Sequence, residues 1–251
     1  VDLQGNVGAT TAIGAFTVSG TPAQVDLANV RTSEADLSVT AGNIDLNGTL
    51  YEALTSGSIT FTGPVDLMAG AVTTVVRTNG DVATDDITFT STIDDDTAGE
   101  TSLTLDADAG TNALAAVDLQ GNVGATTRIG ALSASGATVN LDGDIYATGI
   151  SATGSTAVNV DSGGGSGLTL NTATNAIDLA GADIVIDTGA TLSGSGDVIL
   201  RGNTVGTTIG VGTGAAGDVN LSEDELATVA GTTIAQVQIG DPAGLSDCFA
   251  M

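Results

Sequence analysis

The chain has 251 residues, 30 acidic against four basic, and a formal net charge of −26. Such a field repels phosphate backbones and anionic lipid surfaces, so nucleic acid and anionic membranes are excluded as partners, and cations or neutral surfaces remain. With no histidine or lysine and a single cysteine, Cys248, the chain cannot assemble the usual nucleophile and base dyads or an intrachain disulfide framework.

Acidity with few aromatics can mean disorder, yet 41% of the residues are apolar, many of them Val, Ile and Leu in short patterned runs. The expectation is a folded chain. Its core must be thin, because it has only two Tyr and four Phe, no Trp, and 36 Gly. No apolar run approaches the roughly 18 residues of a membrane span, and no basic start followed by an apolar stretch marks a signal peptide. The chain starts at Val1, inside a repeated phrase, and reads as a piece of something longer.

That phrase is VDLQGNVGATT, residues 1 to 11, which returns letter for letter at Val117 to Thr127; sixteen of the first twenty positions are identical at this offset. A finer rhythm of apolar, polar, apolar triplets runs through the chain: VDL at 1 and 25, IDL at 44, VDL at 65, ITF at 87, LTL at 103, VDL at 117, VNL at 139, VNV at 158, IDL at 177, VIL at 198 and VNL at 219. Outside the stretch from 87 to 117, successive triplets are 19 to 24 residues apart. Each alternates as a half-buried strand does and is closely followed by turn residues, as in LQGN, LNGT, LDGD and LRGN. Further alternating pieces lie between them: ADLSV at 35, SITFTG at 58 and ADIVID at 182.

One such unit cannot bury its apolar side alone, whereas stacked units can. The predicted fold is all-β: a right-handed parallel β-helix, or β-solenoid, with rungs of about 20 residues. Residues 1–116 form a first block of rungs and 117–251 a second block of the same continuous solenoid. Twelve triplets at about 4.8 Å each predict a rod of about 55 Å. An antiparallel sandwich would not need one triplet type to recur at rung spacing. SEDELATVAG predicts one short helix near 223–230, because Ser222 and Glu225 make a capping box and Gly231 supplies a left-handed stop.

Stacked in register, the triplets would place their middle residues in one outward column: Asp2, Asp26, Asp45, Asp66, Thr88, Thr104, Asp118, Asn140, Asn159, Asp178, Ile199 and Asn220. Two charges about 4.8 Å apart repel by roughly 0.9 kcal/mol in water, so cations should gather there. A denser cluster offers a candidate calcium site at Asp94, Asp95, Asp96, Glu100, Asp106 and Asp108, since calcium takes six to eight oxygens. Its spacing fits neither an EF-hand nor a calcium-binding nonapeptide. No cofactor is required by anything else in the chain. Tyr51 in LNGTLY and Tyr146 in LDGDIY suggest a repeated structural slot. Glycine-rich DSGGGSG, residues 161 to 167, lacks the lysine of a phosphate loop and reads as a turn.

The stretches GNVGATTRIGALSASGATVNLDGDIYATG (121–149) and GDVNLSEDELATVAGTTIAQVQIGDPAG (217–244) resemble the large repetitive bacterial surface proteins of the filamentous haemagglutinin type. The resemblance implies secretion to the extracellular cell surface or matrix, a long right-handed β-helix, and a role as adhesin or fibre shaft. It carries over no binding residue. The favoured function is a structural shaft or self-associating fibre, its partners being copies of itself or flanking rungs head to tail. The alternative is an adhesin that binds a cell-surface receptor or glycan. No enzyme is expected: a polysaccharide-active site would have to rest on Asp and Arg with few aromatic platforms. Neither nucleic-acid binding nor membrane insertion is expected. SITFTG, ITFTST and TSLTL raise ice binding, but their Thr spacing does not predict one column over many rungs.

Overall fold

The computed structural model describes the chain except residues 69, 71, 81, 108–113, 161–166, 213–215, 230–232, 241–248 and 251, with the backbone alone for 249 and 250. Cys248, Asp108, Gly231 and most of DSGGGSG lie outside the described residues. Every strand pairing among those described is parallel. The chain is all-β, and its stacked parallel strands fit a β-solenoid.

Most of the strands fall into three ladders, which the chain visits in a fixed order before starting the next coil. The first holds Asp2–Leu3, Val25–Leu27, Ile44–Leu46, Val65–Leu67 and Ile93–Asp95. It continues through single bridges at Val123 and Ile145 to Thr169–Thr172, Thr191–Gly194 and Val229. The second runs from Val30–Thr32 through Leu50–Ala53, Thr73–Thr78 and Ser102–Asp106. It then takes the first part of Ile129–Leu141 and the middle of Ile145–Val160, and ends with Ile177–Gly181, Val198–Gly202 and Val237–Ile239. The third holds Phe16–Val18, Leu37–Thr40, Ile59–Thr62, Ile87–Phe89 and Ala116–Leu119, then the ends of the two long strands and Ile184–Ile186. Strands at 1, 25, 44 and 65 are thus parallel neighbours, as the triplet rhythm predicts.

Alternation sets what is buried. Val25, Leu27, Ile44, Leu46, Val65 and Leu67 point inward and are at most 1% exposed, whereas Asp26 and Asp66 between them are half-buried. Tyr51, Phe61 and Phe89 pack together inside, with ring centroids 6.0 and 5.0 Å apart. Nine steps separate the first coil from Val229 along the first ladder, or ~43 Å at about 4.8 Å per step. The twelve triplets overcount the length because several lie on different sides of one coil.

The twelve middle residues therefore do not form one column. Asp2, Asp26, Asp45 and Asp66 are successive partners, but the next is Asp94. Thr88, Asp118, Asn140 and Asn159 belong to the third ladder, while Thr104, Asp178 and Ile199 belong to the second. Asn220 pairs with Gly210 in a separate small sheet. The repeated phrase shows why. Val1-Asp2-Leu3 lies on the first ladder and Val117-Asp118-Leu119 on the third, so the 116-residue offset spans four full coils and two further sides. Local geometry nevertheless repeats. Val7 and Ile13 bridge Val30 and Thr32, and Val123 and Ile129 pair likewise with Ile145 and Ala147. Gly8 and Gly124 take φ of +71° and +68°, and a Cβ at either would collide with a carbonyl oxygen of the next coil, that of Arg31 or Tyr146.

The predicted helix is present but shorter, spanning Glu223–Ala227, with Thr228 at its C-cap donating its N–H to Glu225 O and Leu226 O. Its capping box is present, and Glu225 does double duty: Oε2 accepts from Ser222 N at 2.8 Å and Oε1 from Ile186 N at 3.2 Å. The helix is thereby tied to the coil below, and Val229 rejoins the first ladder at Leu192.

Candidate functional site

The distinctive chemistry lies on two adjacent sides of the first coils. On the first ladder, Asp26, Asp45 and Asp66 stack in register, one strand spacing apart. Two amides interleave with them. Gln24 Nε2 donates to Asp26 Oδ1 at 3.0 Å and to Asp45 Oδ2 at 2.6 Å. Asn43 Nδ2 donates to Asp45 Oδ1 at 2.7 Å and to Asp66 Oδ2 at 2.9 Å. Each amide sits two residues before an aspartate, hence on the same strand face, and its two N–H groups join carboxylates of successive coils. Asp45, 8% exposed, is pushed up from the usual carboxylate range, first by burial, then by its hydrogen bond to Asp26 and the charges of Asp26 and Asp66; Gln24 offsets part of this.

One side over, the same coil buries Glu52 completely. Arg31 Nε reaches Glu52 Oε2 at 2.7 Å from below, and Arg77 reaches Oε1 from above with Nε at 2.6 Å and Nη2 at 2.5 Å. Asn79 Nδ2 adds a bond at 3.1 Å. Burial pushes the Glu52 carboxyl up, but the hydrogen bonds and charges of the two arginines outweigh it and hold the group below its ordinary value. The other two arginines also clamp separate coils. Arg201 grips Asp178 with two bonds, at 2.9 and 3.0 Å. Arg128 donates to Ala147 O, Asn171 O and Asn171 Oδ1 and lies 5.7 Å from the Tyr146 ring centre. A planar fork that reaches several acceptors at once suits this work better than an ammonium.

The candidate calcium residues are spread out. Asp94 Oδ1 accepts from Thr126 N and Thr127 N at 2.9 and 3.0 Å. Asp95, its neighbour on the strand, turns inward, and its Oδ2 accepts from Glu100 N and Thr101 N at 2.9 and 2.8 Å. Asp96 and Glu100 are exposed, and Asp106 lies on the second ladder with Ser135 Oγ donating to it at 3.0 Å. Among the described residues no three acids come together as metal ligands. Backbone N–H groups engage Asp94 and Asp95, and a hydroxyl engages Asp106.

Two features differ from the sequence reading. Tyr51 and Tyr146 do not share a slot: Tyr51 is fully buried, donating to Leu27 O at 2.8 Å and accepting from Gly48 N at 2.9 Å, whereas Tyr146 faces outward under Arg128. A shift of one residue in strand parity reverses the face. The hydroxyl residues, in turn, align over four coils, although Thr104 of TSLTL lies on the second ladder and Asp118 follows Thr88. Thr17, Ser38, Thr60 and Thr88 are successive partners on the third ladder, and Thr40 and Thr62 form a second column beside them. None of their hydroxyls has a protein partner among the described residues. The amides Gln24 and Asn43 and the Arg31, Glu52, Arg77 set were missed, although Gln-Val-Asp and Asn-Ile-Asp spell the first and the paired Arg-Thr endings of NVRT and VVRT hint at the second.

No family model matches the chain, and no curated protein or solved structure does either.

Proposed function

We propose that this chain is a rigid segment of a secreted bacterial surface or matrix protein of the filamentous haemagglutinin type, a right-handed β-helical shaft that extends by stacking coils in line. The observation that supports it is the continuity of the ladders across the repeat boundary: Val117 pairs with Ile87 on one side and Val139 on the other, with Asp118 and Leu119 in the same register. The strand that opens the second block thus pairs on both sides as strands inside a block do, so the two blocks join without a break in the ladder. Stacking of this kind is heterologous and does not close, which makes rods grow into filaments. The right-handed sense follows the preference of parallel strand crossovers. Negative-stain images of the purified chain should show filaments of uniform width that lengthen with concentration; short monomeric rods at every concentration would remove self-assembly from the proposal.

A second reading, ice binding, is favoured by the aligned hydroxyl columns. Their spacing is about 4.8 Å across coils and about 6.7 Å along the strand, a small regular patch of hydroxyls that Asp118 bounds on its downstream side. The inward Val39, Phe61 and Phe89 beneath it are at most 1% exposed and hold it rigid. Thermal hysteresis and faceted ice growth that vanish in a Thr60→Val, Thr88→Val variant are the expected signs; their absence in the unaltered protein ends this reading.

A further inference from the structure

The inner copy of the repeated phrase carries a coil on its upstream edge and shows what the same residues of the outer copy are able to hold. Residues 117–136 carry the preceding coil on their upstream edge. Ile87, Thr88 and Phe89 pair with Val117, Asp118 and Leu119, and Gln120 N donates to Phe89 O at 3.0 Å. Ile93 N donates to Asn122 O at 2.9 Å, and Gly124 N to Ile93 O at 2.6 Å. The carboxylate of Asp94 is received by two successive backbone N–H groups, those of Thr126 and Thr127. The identical residues of the outer copy are Gln4, Asn6, Gly8, Thr10 and Thr11. Downstream these positions repeat the inner geometry, including the loop from Val7 to Ile13 and the positive φ of Gly8. Upstream they have no neighbour among the described residues: Thr10 and Thr11 are exposed, and no acceptor reaches their N–H groups.

We propose that the upstream edge of residues 1–20 is a docking edge for the last coil, residues 87–116, of another copy of the 116-residue block, and that its anchor is the Asp94 carboxylate of that copy seated on the N–H pair of Thr10 and Thr11. The proposal rests on the in-line stacking reading and names its partner. The occupant is specified by the chain itself, since an identical phrase already holds it. A carboxylate on two backbone N–H groups is a charge-assisted contact with a fixed direction, which sets register where apolar strands alone would tolerate a slip.

The test is a single chain in which residues 1–116 are placed ahead of Val1, so that the new junction repeats the native Ala116-Val117. Amide exchange is then followed at Gln4, Thr10 and Thr11 of the original copy. All three should exchange about tenfold or more slowly than in the 251-residue chain. Asp94→Ala in the added block should return Thr10 and Thr11 to fast exchange while Gln4, served by a backbone carbonyl, stays slow. Fast exchange at Thr10 and Thr11 in the tandem chain, whether or not the added block folds, overturns the docking edge. Protection that survives Asp94→Ala overturns the carboxylate anchor. Because the added block is covalently attached, failure of separate chains to form filaments leaves this result standing, and filaments that leave Thr10 and Thr11 unprotected would count against the docking edge alone.

Discussion

Asp45 and Glu52 belong to the same coil, seven residues apart, and meet opposite surroundings. Asp45 has an acid below and an acid above; Glu52 has an arginine below and an arginine above. Glu52 is wholly buried yet is held below its ordinary carboxyl value, while the slightly exposed Asp45 is held above it. Burial pushes both groups up; at Glu52 the hydrogen bonds and charges of the two arginines reverse the sign, whereas at Asp45 the stacked acids add to it. A ladder multiplies whatever its column contains, because each residue meets its like at one strand spacing on either side. Opposite charges interleaved cohere, and like charges repeated need an outside donor, here the Gln24 and Asn43 amides.

The largest break in that comparison is to strip Glu52 of its partners. Arg31→Met with Arg77→Met leaves a buried carboxylate unpaired and should cost about 3–5 kcal/mol of stability, read from denaturant unfolding at neutral pH. Either change alone should cost less than half of that, since the other arginine still reaches an oxygen of its own. A loss below about 1 kcal/mol in the double variant would mean that Asn79 and the surroundings hold the charge without the arginines.

Removing the amides attacks the other side. Gln24→Ala with Asn43→Ala takes away four hydrogen bonds to carboxylates; in this partly exposed column the expected loss is about 1–2 kcal/mol. It should grow with pH, because both amides donate to Asp45 and matter most when that carboxylate is ionised. A pH-independent loss would mark a packing effect.

Relief of the acid column should stabilise. Asp45→Asn removes the middle charge and keeps an acceptor for Gln24 at the cost of the bond from Asn43 Nδ2; Asn140 holds the like place beside Asp118 on the third ladder, where Asn140 Nδ2 donates to Asp118 and Asn159 Nδ2 to Asn140 at 2.8 Å. The expected gain at neutral pH is about 1 kcal/mol. The pH dependence has a definite sign. Asp45 and Asp86 are raised above 3.8, so their penalty is present at neutral pH and is relieved as pH falls through their folded values. For Asp86 the causes are burial and the charges of Asp118 and Asp85, set against a bond from Ala116 N. Glu52 is lowered below 4.5, so its contribution is complete above 4.5 and is lost as pH falls through its folded value. The melting midpoint should therefore rise on acidification from neutral pH and turn over below 4.5. Asp45→Asn should flatten the rise and leave the turnover in place.

Much of the fold was legible because a parallel ladder rewards one local pattern, apolar inward and polar outward, at every coil. The triplets at 1, 25, 44 and 65 stack as their spacing predicts. The side on which each triplet lies was not legible, because the excursions between strands vary in length. Only 16 residues separate the triplets at 87 and 103, which sit on different ladders of neighbouring coils, whereas 28 separate the partners Asp66 and Asp94. Asp94, Asp95 and Asp106 looked like one cluster in sequence, yet strand alternation and a change of side part them. Glu52 was hidden for a different reason: a lone charge in LYEA reads as exposed, and only its coil neighbours make its burial tolerable.

Salt should have the smallest effect, and its size distinguishes the two columns. Raising ionic strength from 0.01 to 1 M shortens the screening length from about 30 Å to about 3 Å, below the spacing of the stacked aspartates. Repulsion between Asp26 and Asp66 and the outer acids is therefore screened, while the buried contacts of Glu52 with Arg31 and Arg77 are scarcely touched. The expected result is a net gain of a few tenths of a kcal/mol, smaller in Asp45→Asn. Calcium chloride at matched ionic strength should match sodium chloride, since no three acids converge as metal ligands among the described residues. A calcium midpoint clearly above the sodium one, lost on adding a chelator, would show that the acid column collects divalent ions specifically. In that case the repeated aspartates would be a ligand array, and their raised energy in the absence of metal would be the driving force for binding.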